Sequence, residues 1–437
     1  MRRFHIGLAA LTVSALLGAA VQAAEVPTPV DLSRLSLDQA LTLGDARNRD
    51  IQKAKEFYNE VEGRYLQERA AALPQLSLVG QATASGDESQ RVYGRGFPTD
   101  QRLLSSQVQL SQTLFTWGKV GAAIRAAAKA RLTADEQLRI ARQDTRRDVT
   151  VAFYDVVLAR EQQGFALQNR EQKRRHQDEA ERKYAAGVAT DYDLLAAKVS
   201  VENANPEVIR SANTLKTAKD RLRYILALEA AVDVTGSLEP PVYAVPAFAD
   251  AMKTALERRP ELRELRHRKE IAEELIKVAK ADDKPRVDFN GAYGYRRLDT
   301  GASDGEGQAW SAGVSLTFPF FDGMRTRGKV AQAVSQRSSL EIDEAKLADA
   351  IALEVREAIN QVEEAREIMN SLTGTVTQAE RLLAMAEKGY ELGVKIRLEV
   401  EDAELNLLQA RNNLARAKRD FLVAKTQMER VEGILGE

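Results

Sequence analysis

The chain has 437 residues, and its 63 basic and 64 acidic side chains nearly cancel to a formal net charge of -1, so no long-range field marks it for nucleic acid. It contains no cysteine, which excludes disulfides, thiolate metal sites and a lipid-modified N-terminal cysteine. Aromatic residues are only 6% of the chain, and its richness in Ala, Leu, Glu, Arg and Lys is that of long helices sharing thin seams.

Arg2 and Arg3 precede an apolar run from Ile6 to about Leu17. Val21 and Ala23 then stand three and one before a cut that leaves Ala24 as the first mature residue. That is the form of a secretory signal over residues 1–23. The run is too short to span a bilayer, and no later apolar stretch reaches about 18 residues.

Ser36-Leu-Asp-Gln39 has capping-box form and opens an amphipathic helix predicted to run to Leu73, where Pro74 stops it. A second helix, without an internal proline, is predicted from Lys119 to Ala186. Gly187 ends it, and a return helix follows from Asp191 to Leu228 with a break expected at Asn205-Pro206. The proline-rich segment 236–247 links to a second set of helices, predicted over Phe248 to Asp282, Arg325 to Tyr390 and Leu398 to Val431. Ile351, Val355, Ala358, Val362, Ala365, Met369 and Leu372 recur at alternating steps of four and three, a coiled-coil seam whose role is packing. The small residues Ala122, Ala123, Ala126 to Ala128 and Ala130 allow close helix approach.

Four segments break the helical pattern. Leu76 and Leu78; Val108 and Leu110; Val287, Phe289, Gly291, Tyr293 and Tyr295; and Ala312, Val314, Leu316, Phe318 and Phe320 alternate with mostly polar neighbours. Strands of about 9 to 11 residues with that alternation have the length to cross a bilayer when tilted. Polar loops from Ser85 to Arg102 and from Leu298 to Gln308 join each pair. Alternation alone fits two hairpins of a soluble protein equally well. Four strands cannot close a barrel, so a membrane reading requires several chains to share one sheet.

The chain is also a repeat. Pro74-Gln-Leu-Ser-Leu-Val-Gly80 lines up with Pro285-Arg-Val-Asp-Phe-Asn-Gly291 at an offset of about 211 residues. A second register, offset by about 206, pairs Phe115 with Phe321, Tyr184 with Tyr390 and Gly187 with Gly393. The expected halves are 24–235 and 248–437.

The signal, the duplicated order of helix, two strands, long helix and return helix, and three sets of motifs together resemble the TolC-type outer membrane efflux proteins. The motifs are the Pro74 and Pro285 strand entries, Leu110-Ser-Gln-Thr-Leu-Phe-Thr-Trp-Gly118 with Leu316-Thr-Phe-Pro-Phe-Phe-Asp-Gly323, and the turns Tyr184-Ala-Ala-Gly-Val188 and Tyr390-Glu-Leu-Gly-Val394. The resemblance implies a mainly α fold with a small β part: a long coiled-coil helical barrel across the periplasm plus a twelve-stranded outer-membrane β-barrel assembled from three chains. It implies a passive exit duct in a Gram-negative outer membrane, a homotrimer that contacts outer-membrane lipid. The duct would dock on a periplasmic adaptor and an inner-membrane transporter of the RND or ABC class, without a cofactor, a metal or catalysis. No phosphate loop, HExxH or GxSxG is present, and His5, His176 and His267 are isolated in sequence and read as solvated.

By the same resemblance, Gly187, Val188, Gly393 and Val394 mark the hairpin tips that meet the adaptor. Glu399 and Asp402, three apart on one helical face, are the acids that ring the constriction of the trimer and favour cations. Tyr390, Lys395 and Asp193 hold the closed state, with lysine at 395 where the family places arginine, a less directional link. Opening would move the hairpin Arg325 to Val431 outward like an iris. A soluble periplasmic coiled-coil scaffold would share the helices but not insert in lipid. A periplasmic adaptor would need lipoyl-like and barrel β domains, for which the sequence offers no segment.

Overall fold

The computed structural model describes residues 31–89, 100–300 and 303–436. The expected secretory signal, with His5, lies outside the described residues, as does most of the Ser85 to Arg102 loop. From Leu32 onward the chain forms one unit. Its first half runs α1 (Leu37–Arg47), α2 (Arg49–Ala70), β1 (Gln75–Gly86), β2 (Asp100–Phe115), α3 (Lys119–Ala185) and α4 (Asp191–Ile225). The second half repeats that order as α5 (Phe248–Arg258), α6 (Pro260–Lys280), β3 (Arg286–Asp299), β4 (Asp304–Thr317), α7 (Arg325–Glu391) and α8 (Arg397–Val431).

The two entry helices predicted as continuous are each split, for different reasons. The Ser36 capping box is present: its hydroxyl accepts from the Gln39 N–H at 3.3 Å and its own N–H donates to the Gln39 side chain at 3.0 Å. At Asn48 the backbone leaves helical geometry, and the Asn48 side-chain oxygen accepts from the N–H groups of Asp50 and Ile51, which starts α2. In the second half Pro260 takes the first helical position and holds Arg259 extended before it.

Helices α3 and α7 are 67 residues long, and α4 and α8 are 35. At about 1.5 Å per residue the long ones extend on the order of 100 Å. The break expected at Pro206 does not occur, and α4 runs through it. Pro206 sits on the exposed face, where water can take the carbonyl its missing N–H leaves, while Val201, Ala204 and Ser211 keep the opposite face packed on either side.

The coiled-coil seam is buried as its period predicts. Ile351, Val355, Ala358 and Val362 pack with Phe421, Met428 and Val431 of α8 and with Ala251 and Ala255 of α5, while Ala365 and Met369 lie partly buried beside them. Each fully buried Ile or Val contributes roughly 1.5–3 kcal/mol. Of the alanine stripe between Ala122 and Ala130, Ala122 and Ala126 are buried. Alongside that stripe α3 is pinned to α6 by polar ties, Arg125 to Glu274 at 3.0 Å and Lys129 to Glu270 at 2.7 Å.

The strands form one antiparallel sheet in the order β1-β2-β3-β4. Register places Leu76, Leu110, Gly291 and Ala312 in one row and Leu78, Val108, Tyr293 and Trp310 in the next. Because directly opposed residues share a face, these rows make one apolar surface. The alternate row, Ser77, Gln109, Ala292 and Ser311, makes the other surface polar. Gly294 lets the strands close on one another, since a Cβ there would lie 2.1 Å from the Ser106 carbonyl oxygen. The ladder continues to Leu298 opposite Gly305 and Asp299 opposite Asp304, so the Leu298 to Gln308 loop is much shorter than predicted. At the other end β4 stops at Thr317, and Phe318 and Phe320 fall beyond it because Pro319 has no N–H to donate to a ladder. Each of β1 and β4 keeps one edge unpaired.

Candidate functional site at the hairpin tips

The α3–α4 and α7–α8 pairs are antiparallel hairpins that reverse through matching turns. Gly187 at φ 73° and Gly393 at φ 74° take the left-handed conformation that glycine adopts without cost. The Gly187 and Val188 N–H groups donate to the Tyr184 and Lys183 carbonyls at 2.9 and 3.0 Å. Gly393 and Val394 donate to Tyr390 and Gly389 at 3.0 and 2.9 Å. Around each glycine the chain presents apolar side chains to solvent: Val188 is 75% and Val394 77% exposed, with Tyr192, Leu392, Ile396 and Leu398 also exposed.

The return helices start differently. Thr190 caps α4, its hydroxyl accepting from the Asp193 N–H while the Asp193 carboxylate accepts from the Thr190 N–H at 2.9 Å and hydroxyl at 2.7 Å. Those bonds, first the backbone one, hold the Asp193 carboxyl below the usual aspartate range, with Arg397 adding to the effect. Helix α8 has Ile396 at the corresponding place, which offers no side-chain acceptor. Glu399 serves it instead: one carboxylate oxygen accepts from the Ile396 N–H at 3.1 Å and the other from Lys395 Nζ at 3.0 Å. The lysine contact, then the backbone bond, keeps Glu399 below the usual glutamate range. Asp402 is exposed on the same face one turn on, and among the described residues it has no ion-pair partner.

The gating trio expected from sequence is not brought together within one chain. Lys395 pairs with Glu399, Asp193 with Thr190, and the Tyr390 hydroxyl accepts from Lys183 Nζ at 3.3 Å, with that ammonium also 5.2 Å from the Tyr390 ring centre. Lys183 is therefore a cross-hairpin contact that sequence reading missed. The repeat register carried the signal: it pairs Lys183 with Gly389 and Ala189 with Lys395, so these two lysines have no counterpart in the other half and lie on opposite sides of their turns. Gly389 is what admits Lys395, because a Cβ there would stand 2.7 Å from Lys395 Cδ. A cleft of about 670 Å³ opens between the hairpins, bordered by His176, Lys183, Glu387, Tyr390, Lys395 and Arg397.

His176 is not the solvated residue expected. It is half-buried, 2.6 Å from Glu404 of α8, whose side chain is 3% exposed. Glu404 also accepts from Gln172 at 2.6 Å and Lys173 at 2.9 Å. Burial alone would raise its pKa, but the bonds from His176 and Lys173 outweigh burial and hold it below the ordinary glutamate value. The sequence signal was an acid at a seam position, between Val400 and Leu407 at steps of four and three.

A profile of the outer membrane efflux protein family matches residues 41–228 and 251–433. The chain belongs to this family. Among its relatives are the alkaline protease secretion protein AprF of Pseudomonas aeruginosa, 26% identical over 84% of this chain and 78% of that protein. Another is the cobalt-zinc-cadmium resistance protein CzcC of Cupriavidus metallidurans, 26% identical over 91% of this chain and 90% of its own. The fold matches the CmeC outer membrane channel of Campylobacter jejuni with a TM-score of 0.78 at 15% identity, over 91% of this chain and 85% of that one. It matches CusC with a TM-score of 0.76 at 18% identity, over 91% and 92%. The efflux protein described here is thus a channel subunit of the outer membrane that extends into the periplasm. Neither a soluble scaffold nor an adaptor is favoured, because the match runs through both halves, strands included. Among the described residues no helix is long and apolar enough to cross a membrane.

Proposed function

We propose that three copies of this chain close a twelve-stranded barrel in the outer membrane and continue it as a helical tunnel, a passive exit duct without catalysis. The observation that carries this is the sheet, apolar on one face, polar on the other, with β1 and β4 each open along one edge. A lipid-exposed open edge costs several kcal/mol for each unmade backbone bond, so the edges call for each other in neighbouring copies.

The tips at Gly187–Val188 and Gly393–Val394 are the proposed docking points for a periplasmic adaptor, which would couple the duct to an RND or ABC transporter in the inner membrane. Their exposed valines and isoleucine supply an apolar contact that a solvated turn does not need. Asp402 and Glu399, repeated by threefold symmetry, would ring the narrow end with carboxylates and favour cations. Tyr390, Lys395 and Asp193 stand at the same end, and any closed-state links among them would run between copies.

Single-channel currents of the purified protein under a salt gradient test the reading. Small, cation-selective currents are expected, and their selectivity should collapse in a Glu399→Ala plus Asp402→Ala variant. Folded protein that never inserts into the bilayer would overturn the duct, and unchanged selectivity would move the constriction elsewhere.

A further inference from the structure

Helix α3 of the first hairpin meets α8 of the second at three polar ties. Asp144 accepts from Arg430 at 3.0 Å, Asp155 from Arg419 at 2.6 Å, and Glu404 receives Gln172, Lys173 and His176. The first two are single acid–arginine contacts with partly exposed acids. The third is different, because a nearly fully buried carboxylate from one hairpin receives three donors from a single turn of the other. Between the second and third ties the helices part into a polar groove of about 560 Å³ lined by Gln162, Asn169, Asn412 and Arg416. Below the third lies the tip cleft, crossed by the Lys183–Tyr390 bond. The Glu404 cluster is thus an isolated fastening between two openings, close to the tips. It is also absent from the other half, where the repeat register places Lys198, a half-exposed residue, opposite Glu404.

We propose that Glu404 is the latch between the two hairpins, and that its withdrawal from Gln172, Lys173 and His176 is the step that lets the second tip swing away from the first. The inference rests on the duct reading, in which the tips are the gate. A buried carboxylate that leaves its donors without replacement is strongly penalised, so intermediate positions of α8 are costly. The hairpin has two stable placements, latched dry or released into water. Glu404 is here a positioning residue, distinct from the acids that face the permeating ion.

Three versions of the full chain separate the outcomes: wild type, Glu404→Gln, and the charge exchange Lys173→Glu plus Glu404→Lys. Each also carries Val394→Cys, which gives one spin label per chain because the protein has no cysteine of its own. Removing the charge weakens every bond at Glu404, so Glu404→Gln should raise time-averaged conductance about tenfold. It should also lengthen the label separation between copies, with little change in melting temperature. The exchange should return both towards wild type. Conductance and separation unchanged in Glu404→Gln would overturn the latch while leaving the duct intact, as would an exchange that behaves like Glu404→Gln. Should Glu404→Gln fail to assemble, Lys173→Gln loosens the same cluster from the α3 side. It should raise conductance and lengthen the separation in the same direction, and no change in either would overturn the latch. No current from any version would overturn the duct and the latch with it.

Discussion

Glu399 and Asp402 form one pair in sequence but do different work in the folded chain. Glu399 caps α8 in place of the side chain that Ile396 lacks and is neutralised by Lys395, whereas Asp402 stands exposed and unpaired among the described residues. Substituting them singly should therefore give unequal results. Asp402→Asn should abolish most of the cation preference read from reversal potentials, and Glu399→Gln should change it little. Lys395 owes its place to Gly389, so Gly389→Ala should push the lysine stem aside and loosen its bond to Glu399. The loss of stability should be small, because the pair is solvent-exposed, and should vanish when Lys395→Ala is made as well. Thermal melts of the four versions check that coupling. Glu404 shows where residue-level reading fell short: its seam position was legible, but its three partners lie some 230 positions away and could be found only by folding the chain.

At the scale of elements, period and punctuation did most of the prediction. The 3.5-residue seam on α7 is buried where expected, and the glycine turns end α3 and α7 within a residue of the sequence boundary. Local rules that depend on surroundings were less reliable. Asn48 split a helix because its side chain could cap the next one, and Pro206 failed to split another because it faces water. Two ion-pair ties between helices lead to predictions. Asp282, after α6, accepts from Lys119 at the start of α3 and Lys329 at the start of α7, and those bonds hold its carboxyl below the usual aspartate range. A depressed folded pKa means the tie is fully present above the ordinary aspartate range and is lost as pH falls through the folded value. Asp282→Asn should thus lower stability by roughly 1–3 kcal/mol at neutral pH and by much less near pH 2, as melting temperatures at the two pH values would show. Arg259, 3% exposed, joins Glu354 of α7 to Glu261 of α6, which Arg430 of α8 also contacts at 2.9 Å. Arg259→Ala should cost roughly 3 kcal/mol by leaving Glu261 under-compensated, and Arg259→Lys should recover only part of it because one ammonium cannot fork to two carboxylates.

For the whole molecule the sheet is the part that does not make sense alone. Its two faces differ in chemistry along every strand, and an isolated chain exposes both. Val314 lies opposite Phe289 on the apolar face, and its neighbour Ser315 lies opposite Asp288 on the polar one. In a closed barrel the first face meets lipid and the second meets water in the lumen. A one-residue step along β4 should then separate two identical substitutions. Val314→Arg places a charge against hydrocarbon, at a cost of roughly 2–4 kcal/mol per chain near the bilayer midplane and less near its interfaces, and threefold symmetry multiplies that by the number of copies. Ser315→Arg puts the same charge in water, within reach of Asp288. The expected result is loss of membrane-inserted trimer for Val314→Arg alone, read by heat-modifiable migration of membrane fractions, while Ser315→Arg inserts normally and narrows the conductance. Equal tolerance of both would mean that neither face contacts lipid, since a soluble hairpin has no reason to distinguish two adjacent exposed positions on an edge strand.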